Sequence, residues 1–209
     1  AAKILVRGKV LESLHRQDKS ELYRRANDLF NELLNLRDEI RNNDALPGDL
    51  ALSNGMGKAL SISKDLPPHH WILGSDQVAF NEEGERFHKA SSLEDAEHQL
   101  TRCAGHRLHF ATSLAIVQGG TVLFKHVEQY SVKFRAMTPS AIRDYVLAEQ
   151  PVGCAGSFKA ETAGWRLFSD ASGRDIRSLY GLPILALFDF ADKQKVRLPY
   201  QGIDDRPRR

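Results

Sequence analysis

The chain has 209 residues, of which 42% are hydrophobic and 27% are charged, and its formal net charge is +2. These values are typical of a folded globular protein with a substantial core, and the nearly balanced charge argues against a general nucleic-acid binder. We see no apolar run long enough to span a bilayer and no apolar segment of a secretory signal. We therefore expect a soluble, cytoplasmic protein with neither a membrane nor a nucleic acid as its partner.

The first predicted element is an amphipathic helix. Apolar residues recur at helical spacing over 22–36, and Ser20 is a suitable N-cap. The polar segment 41–49 contains Pro47-Gly48 and predicts a loop. A shorter helix is expected over 56–63.

Asp76 is the residue that stands out in the next part of the chain. The short apolar segment 71–73 predicts a buried strand, which runs directly into Gly74-Ser75-Asp76-Gln77. This places Asp76 at the C-terminal end of a strand, where open α/β sheets collect ligands. A single aspartate in that position is more often a turn or cap residue, unless other charged groups converge on it.

The remaining elements alternate between helices and strands. In order they are a helix (92–102), a hairpin (108–117 and 121–134, with Gly119-Gly120 as its turn), a helix (138–151), a Gly-rich connection (153–164) and a largely buried final helix (182–191). This order predicts an α/β protein with a mixed sheet rather than a helical bundle or a β-sandwich. We expect a single domain over 1–200 and a mobile polar tail over 201–209.

Two pairs of charged residues are candidates for a phosphate or metal site. Arg24-Arg25 lies in the first turn of the first helix, where cations oppose the helix dipole unless an anion binds; the alternative is two solvated arginines. Asp38-Glu39 is either an exposed helix end or part of a Mg²⁺ site, which needs only a few oxygen ligands from the protein. Lys58 and Lys89 carry no signal individually.

Other patterns weigh against several classes of enzyme. His106 and His109 have an H-x-x-H spacing, but they span a predicted turn with no third ligand near in sequence, so we predict no zinc site. Cys103 and Cys154 are too few for a disulfide framework and indicate reduced thiols. The sequence has no Walker-type phosphate loop, no dinucleotide-binding glycine fingerprint and no nucleophile elbow.

Seven segments in a fixed order carry a family resemblance. They are Tyr23-Arg24-Arg25, Asp38-Glu39, Gly55 to Ala59, Gly74 to Val78, Lys89, Cys154 to Glu161, and Gly181-Leu182-Pro183. This ordered set resembles the Maf family of nucleotide pyrophosphatases, and it covers most of the chain. The segments 74–78 and 155–159 look like the branch of the family that acts on 7-methyl-GTP.

The resemblance implies a two-lobed α/β fold with a central cleft, similar to that of the inosine triphosphate pyrophosphatases. It implies hydrolysis of a nucleoside triphosphate to the monophosphate and pyrophosphate, assisted by a divalent cation such as Mg²⁺ or Mn²⁺. Asp76 matches the base that activates water and is also a candidate metal ligand. Arg24, Lys58 and Lys89 match positions that hold the phosphates, and Glu39 matches an acidic position near the metal. A homodimer is compatible with the family.

Three positions that distinguish branches of the family bear on the base. They are matched by Tyr23, Gln77 and Glu161. Methylation at N7 gives guanine a delocalised positive charge, on which the ring of Tyr23 could stack. The carboxylate of Glu161 could accept hydrogen bonds from N–H groups of the base. The hypothesis is therefore a 7-methyl-GTP pyrophosphatase.

The chain also departs from the family pattern. The segment 7–19 stands in place of the family's Ser-x-Ser-Pro loop, Ala90 replaces a proline, and Gln150-Pro151 replaces Glu-Pro. Two alternatives therefore stay open. One is a pyrophosphatase for another modified triphosphate or a pyrimidine triphosphate. The other is a nucleotide-binding regulator of cell division with weakened catalysis.

Overall fold

The computed structural model describes residues 45–196. The predicted first helix and the candidate residues Tyr23, Arg24 and Glu39 lie outside this range, as does the predicted tail 201–209. Predictions about those residues stay predictions, and so does the single domain over 1–200.

A six-stranded sheet organises the described part of the chain. Its strands are β1 (Ile72–Gly74), β2 (Gln77–Phe80), β3 (Arg86–Phe87), β4 (Arg107–Gln118), β5 (Thr121–Phe134) and β6 (Phe168–Gly173). They lie in the order β3-β2-β4-β5-β6, and β1 pairs with β4 beyond the end of β2. Every strand pair within residues 45–196 is antiparallel.

Four α-helices accompany these strands within residues 45–196. They are α1 (Pro47–Ser63), α2 (Leu93–Cys103), α3 (Pro139–Glu149) and α4 (Ile184–Lys193), and short 3₁₀ helices cover Ala163–Leu167 and Ile176–Tyr180. The predicted α/β class is confirmed. None of these helices is long and apolar enough to cross a membrane.

The long hairpin of β4 and β5 forms the centre of the sheet. Gly119 and Gly120 both have positive φ, 53° and 79°, as a two-residue hairpin turn requires. Strand β4 is buried along nearly its whole length. The largest cluster of core residues lies around it and includes edge-to-face contacts between Phe134, Phe158 and Phe168.

Two local predictions are wrong. Pro47-Gly48 does not form a loop, because proline is well accommodated in the first turn of a helix and α1 begins there, well before the predicted helix over 56–63. The final helix is not largely buried: only Ala186, Phe190 and Ala191 are buried, and Phe188 is 46% exposed.

Candidate active site

Two glycines let the middle of α1 contact the end of β1 directly. A Cβ added at Gly74 would lie 2.0 Å from the carbonyl oxygen of Gly55, and a Cβ added at Gly55 would lie 2.5 Å from Oγ of Ser113. Any other residue at either position would force the helix away from the sheet. The close approach brings Asn54 and Lys58, four residues apart on one face of α1, over the end of β1.

The side chains of Lys58 and Asn54 both donate hydrogen bonds to the carboxylate of Asp76. Nζ of Lys58 lies 2.5 Å from Oδ1 of Asp76, and Nδ2 of Asn54 donates to Oδ2 at 3.0 Å. Lys58 also donates to the carbonyl oxygen of Ser75 at 3.2 Å. The Asp76 side chain is 21% exposed and that of Lys58 is 57% exposed. The carboxylate is therefore held at both oxygens while one edge stays open to solvent.

The backbone of Asp76 is fixed by β4. Its N–H donates to Oγ of Ser113 at 3.0 Å, and its carbonyl accepts from the N–H of Ser113 at 2.9 Å. The Ser113 hydroxyl in turn donates to the carbonyl of Ala51 on α1 at 2.7 Å. Ser113 is fully buried. One hydroxyl thus joins helix, sheet and Asp76, so the carboxylate projects from a rigid support.

A cavity of about 200 Å³ opens beside this carboxylate. Its lining includes Asn54, Asp76, Arg86, His88 and Lys89. Lys89 is held next to the segment 153–155. It forms an isolated antiparallel bridge with Ala155, and the N–H of Gly153 donates to the carbonyl of Ala90. Arg86, His88 and Lys89 therefore share the cavity with Asp76, and such a set of basic side chains suits a ligand that carries several negative charges.

A second cavity of about 140 Å³ adjoins the first, and Gln77 and Ala155 line both. The second cavity is also lined by Cys154, Glu161 and Tyr180. Its walls combine a carboxylate, an amide and a phenol ring. This composition suits a heterocycle that presents N–H groups and an aromatic face.

The orientation of Gln77 in this second cavity is determined by its partners. Nε2 donates to the carbonyl oxygen of Ser178 at 2.8 Å and to Oγ1 of Thr112 at 3.0 Å. The Thr112 hydroxyl also donates to the carbonyl oxygen of Ser178, at 3.0 Å. Since a carbonyl oxygen only accepts, the nitrogen of Gln77 must face it. Among the described residues this leaves Oε1 of Gln77 as the acceptor for a ligand.

The described residues offer one candidate ligand for a metal ion. Within residues 45–196 there is no group of three His, Cys, Asp or Glu side chains placed to hold a metal ion. Asp76 fits as a single ligand, since each of its oxygens keeps a lone pair beyond the one used by Lys58 or Asn54. Mg²⁺ in nucleotide enzymes is bound by one or two carboxylates and the substrate phosphates. Asp76 fits such a site as one ligand, and Glu39, the other ligand predicted from the resemblance, lies outside the described residues.

Three of the residues around Asp76 were not singled out by the sequence. Asn54 and Arg86 line the first cavity, and Ser113 anchors the backbone of Asp76. Asn54 lies just outside the helix predicted over 56–63, so the sequence did not place it on a helix face. Nothing in the sequence pointed to Ser113, whose role depends on the register between β4 and the end of β1.

Comparisons with known proteins identify the family of the chain. Residues 12–194 match the family model described as Maf-like protein. The chain is 37% identical over 163 residues to a 7-methyl-GTP pyrophosphatase of Alcanivorax borkumensis (78% of this chain and 82% of the relative). A 7-methyl-GTP pyrophosphatase of Pseudomonas savastanoi pv. phaseolicola is also 37% identical, with 78% and 84% covered. A nucleoside triphosphate pyrophosphatase of Acinetobacter baylyi is 36% identical over 166 residues (78% and 83%).

The chain belongs to the Maf family. The resemblance predicted from the seven sequence segments is therefore confirmed, and the relatives named above are enzymes of the nucleotide pyrophosphatase class.

Proposed function

We propose that the chain hydrolyses a nucleoside triphosphate between its α- and β-phosphates, releasing the nucleoside monophosphate and pyrophosphate. The observation that carries the proposal is the carboxylate of Asp76, held by Lys58 and Asn54 at the wall of a cavity that also contains Arg86 and Lys89. A base beside a cationic cavity is what hydrolysis of a polyphosphate requires. The names of the relatives support the same reaction.

In the proposed reaction Asp76 accepts a proton from the attacking water as the water oxygen bonds to the α-phosphorus. The bond from the α-phosphorus to the bridging oxygen breaks, and its electron pair leaves with pyrophosphate. Lys58 has three N–H donors and uses two of them on Asp76 and Ser75, so one is available for a phosphate oxygen. With Lys89 and the predicted contribution of Arg24, it would neutralise the charge that develops on the leaving group.

A divalent cation, when bound by Asp76 and Glu39, would lower the charge on the phosphates and favour ionisation of the attacking water. The residues of the chain hold and orient the phosphates whichever cation serves. Mg²⁺ and Mn²⁺ are both compatible with a site made of carboxylate oxygens.

The substrate we propose is 7-methyl-GTP. The second cavity supports this choice, because the carboxylate of Glu161 and the acceptor Oε1 of Gln77 both suit the N–H groups of a cationic guanine. The Alcanivorax and Pseudomonas relatives carry this substrate in their names. Tyr23 is the predicted stacking partner. Cytoplasmic localisation and a homodimer stay predictions.

The test is pyrophosphate release from 7-methyl-GTP, GTP, UTP and dTTP with Mg²⁺ or Mn²⁺. We expect 7-methyl-GTP to be the best substrate and Asp76→Asn, which keeps the shape of the side chain, to lose at least about 100-fold in kcat. Asp144→Asn on α3 is the matched control, because Asp144 is an exposed aspartate outside both cavities.

Each alternative has its own result in this assay. Equal turnover of Asp76→Asn and the unmodified chain would exclude Asp76 as the base. Faster hydrolysis of UTP or dTTP than of 7-methyl-GTP would identify a pyrimidine triphosphate as the substrate. Nucleotide binding without turnover of any triphosphate would favour the regulatory protein.

A further inference from the structure

We propose that Asn54 is a positioning residue for the reaction, holding the carboxylate of Asp76 so that Oδ2 is the oxygen that accepts the proton from water. This inference rests on the proposed function. It starts from one contact, the donation from Nδ2 of Asn54 to Oδ2 of Asp76 at 3.0 Å.

The position of Asn54 in α1 favours a role toward Asp76 over a role in the helix. Asparagine is among the weaker helix formers, and α1 continues for nine residues beyond it. Its side chain is exposed, so it contributes little to the core. Asparagine in a helix commonly bonds to nearby backbone groups. Here its amide nitrogen instead reaches a carboxylate 22 positions later in the chain.

The two oxygens of Asp76 have chemically different partners. Oδ1 is bound by the ammonium of Lys58, which stabilises negative charge on that oxygen. Oδ2 is bound by a neutral amide, which weakens its basicity less. Two donors on different oxygens also prevent the carboxylate from rotating, so the two oxygens cannot exchange roles. Asn54 therefore selects Oδ2 as the base and keeps it directed toward the cavity.

The surroundings of Asp76 make this role testable by substitution. On α1 it is bound by Lys58 and Asn54, and the cavity beside it is also lined by Arg86, His88 and Lys89. Asp76 is the only carboxylate that lines this cavity among residues 45–196. A carboxylate at position 54 keeps the size of the side chain, but it cannot donate a hydrogen bond to Oδ2 and it places a second negative charge beside the first.

The experiment compares Asn54→Leu, Asn54→Asp and the control Ser53→Asp. Ser53 is exposed and precedes Asn54 by one residue, so its side chain points about 100° away around the helix. We expect Asn54→Leu to lower kcat about tenfold, as the loss of one hydrogen bond to a charged group does, with KM within about twofold. We expect Asn54→Asp, which replaces the donor by an acceptor, to lower kcat at least as much as Asn54→Leu. Ser53→Asp should change neither kcat nor KM, and thermal unfolding reports whether each variant is folded.

A second measurement separates this inference from the proposed function. The ¹³C carboxyl resonance of Asp76, assigned by its loss in Asp76→Asn, is recorded at one pH in each variant without substrate. We expect its chemical shift to change in Asn54→Leu and Asn54→Asp and to stay the same in Ser53→Asp, even if no triphosphate is turned over. The inference is overturned if Asn54→Leu and Asn54→Asp match the unmodified chain in kcat and in this chemical shift. Absent turnover with a changed chemical shift would instead overturn the proposed function.

Discussion

At the scale of single residues, the ammonium group of Lys58 is proposed to serve both Asp76 and the substrate. It donates to Asp76 and to the carbonyl of Ser75, and it is proposed to contact a phosphate as well. With a side chain 57% exposed, its ion pair with Asp76 adds little to the stability of the fold, on the order of 0–1 kcal/mol. Its importance should therefore appear in kinetics and hardly at all in unfolding.

We expect Lys58→Met to lower kcat/KM for the preferred triphosphate by about 100-fold, because both the orientation of Asp76 and a phosphate contact are lost. The midpoint of thermal unfolding should change by no more than about 2–4 °C. Steady-state kinetics and calorimetry on the same preparation test both parts. Lys64→Met, at the end of the same helix, serves as the control. A large fall in the unfolding midpoint with normal kinetics would contradict the assignment.

The two cysteines also allow a test at this scale. Burial raises the pKa of Cys103 to about 12, and burial also raises that of Cys154. A raised pKa leaves little thiolate at neutral pH, so alkylation of both should be slow and should accelerate as the pH rises. Cys154 is the more accessible of the two and lines the second cavity.

We expect iodoacetamide to modify Cys154 before Cys103, and we expect 7-methyl-GMP to slow the modification of Cys154 alone. Mass spectrometry of time points gives both rates. Cys103 is the internal control, since it lies in the core and outside the cavity. If 7-methyl-GMP at a saturating concentration slowed the modification of neither cysteine, the guanine base would bind outside the second cavity.

At the scale of elements, α1 contains two glycines with opposite requirements. Gly55 has no room for a side chain, since an added Cβ would lie 2.5 Å from Oγ of Ser113. Gly57 is exposed, and an added Cβ would meet nothing within 4 Å among the described residues. The first glycine is required by packing, whereas the second only weakens the helix.

We expect Gly57→Ala to stabilise the protein by about 1 kcal/mol, the difference between alanine and glycine inside a helix. Gly55→Ala should destabilise it by about 1–3 kcal/mol through overpacking. It should also lower kcat, because the displaced Ser113 hydroxyl binds the N–H of Asp76. Chemical denaturation and kinetics of the two variants measure this contrast. Similar effects of the two substitutions would mean that α1 does not pack closely against the sheet at Gly55.

At the scale of the whole molecule, elements with strong local signals were predictable from the sequence. The turn Gly119-Gly120 and the helix start Thr138-Pro139 have local chemistry that allows few alternatives, and both predictions are confirmed. Strand β3 has only two residues, and β6 has mostly exposed, polar positions, so neither produces a periodic signal. These strands exist because β2 and β5 present edges to pair with.

The candidate site also combines features that follow from the local sequence with features that depend on the tertiary fold. The position of Asp76 after a short strand was readable from the local sequence, whereas its proposed role as the base came only from the family resemblance. Its contact with Lys58 was not predictable, since it depends on the approach of Gly55 to Gly74 across 19 positions of the chain. The orientation of Gln77 likewise depends on a carbonyl about 100 residues later. Contacts of this kind follow from the tertiary fold and leave no mark in a single sequence.

Asp76 and Gln77 are joined by one peptide bond, yet one side chain faces the first cavity only and the other faces both. We therefore expect that randomising Gln77 to change the preferred base would disturb the proposed reaction centre with almost every substitution. Glu161 reaches the second cavity from a turn, and Tyr180 reaches it from the end of the 3₁₀ helix Ile176–Tyr180. A mutant library built at those two positions should yield altered selectivity at a smaller cost in turnover.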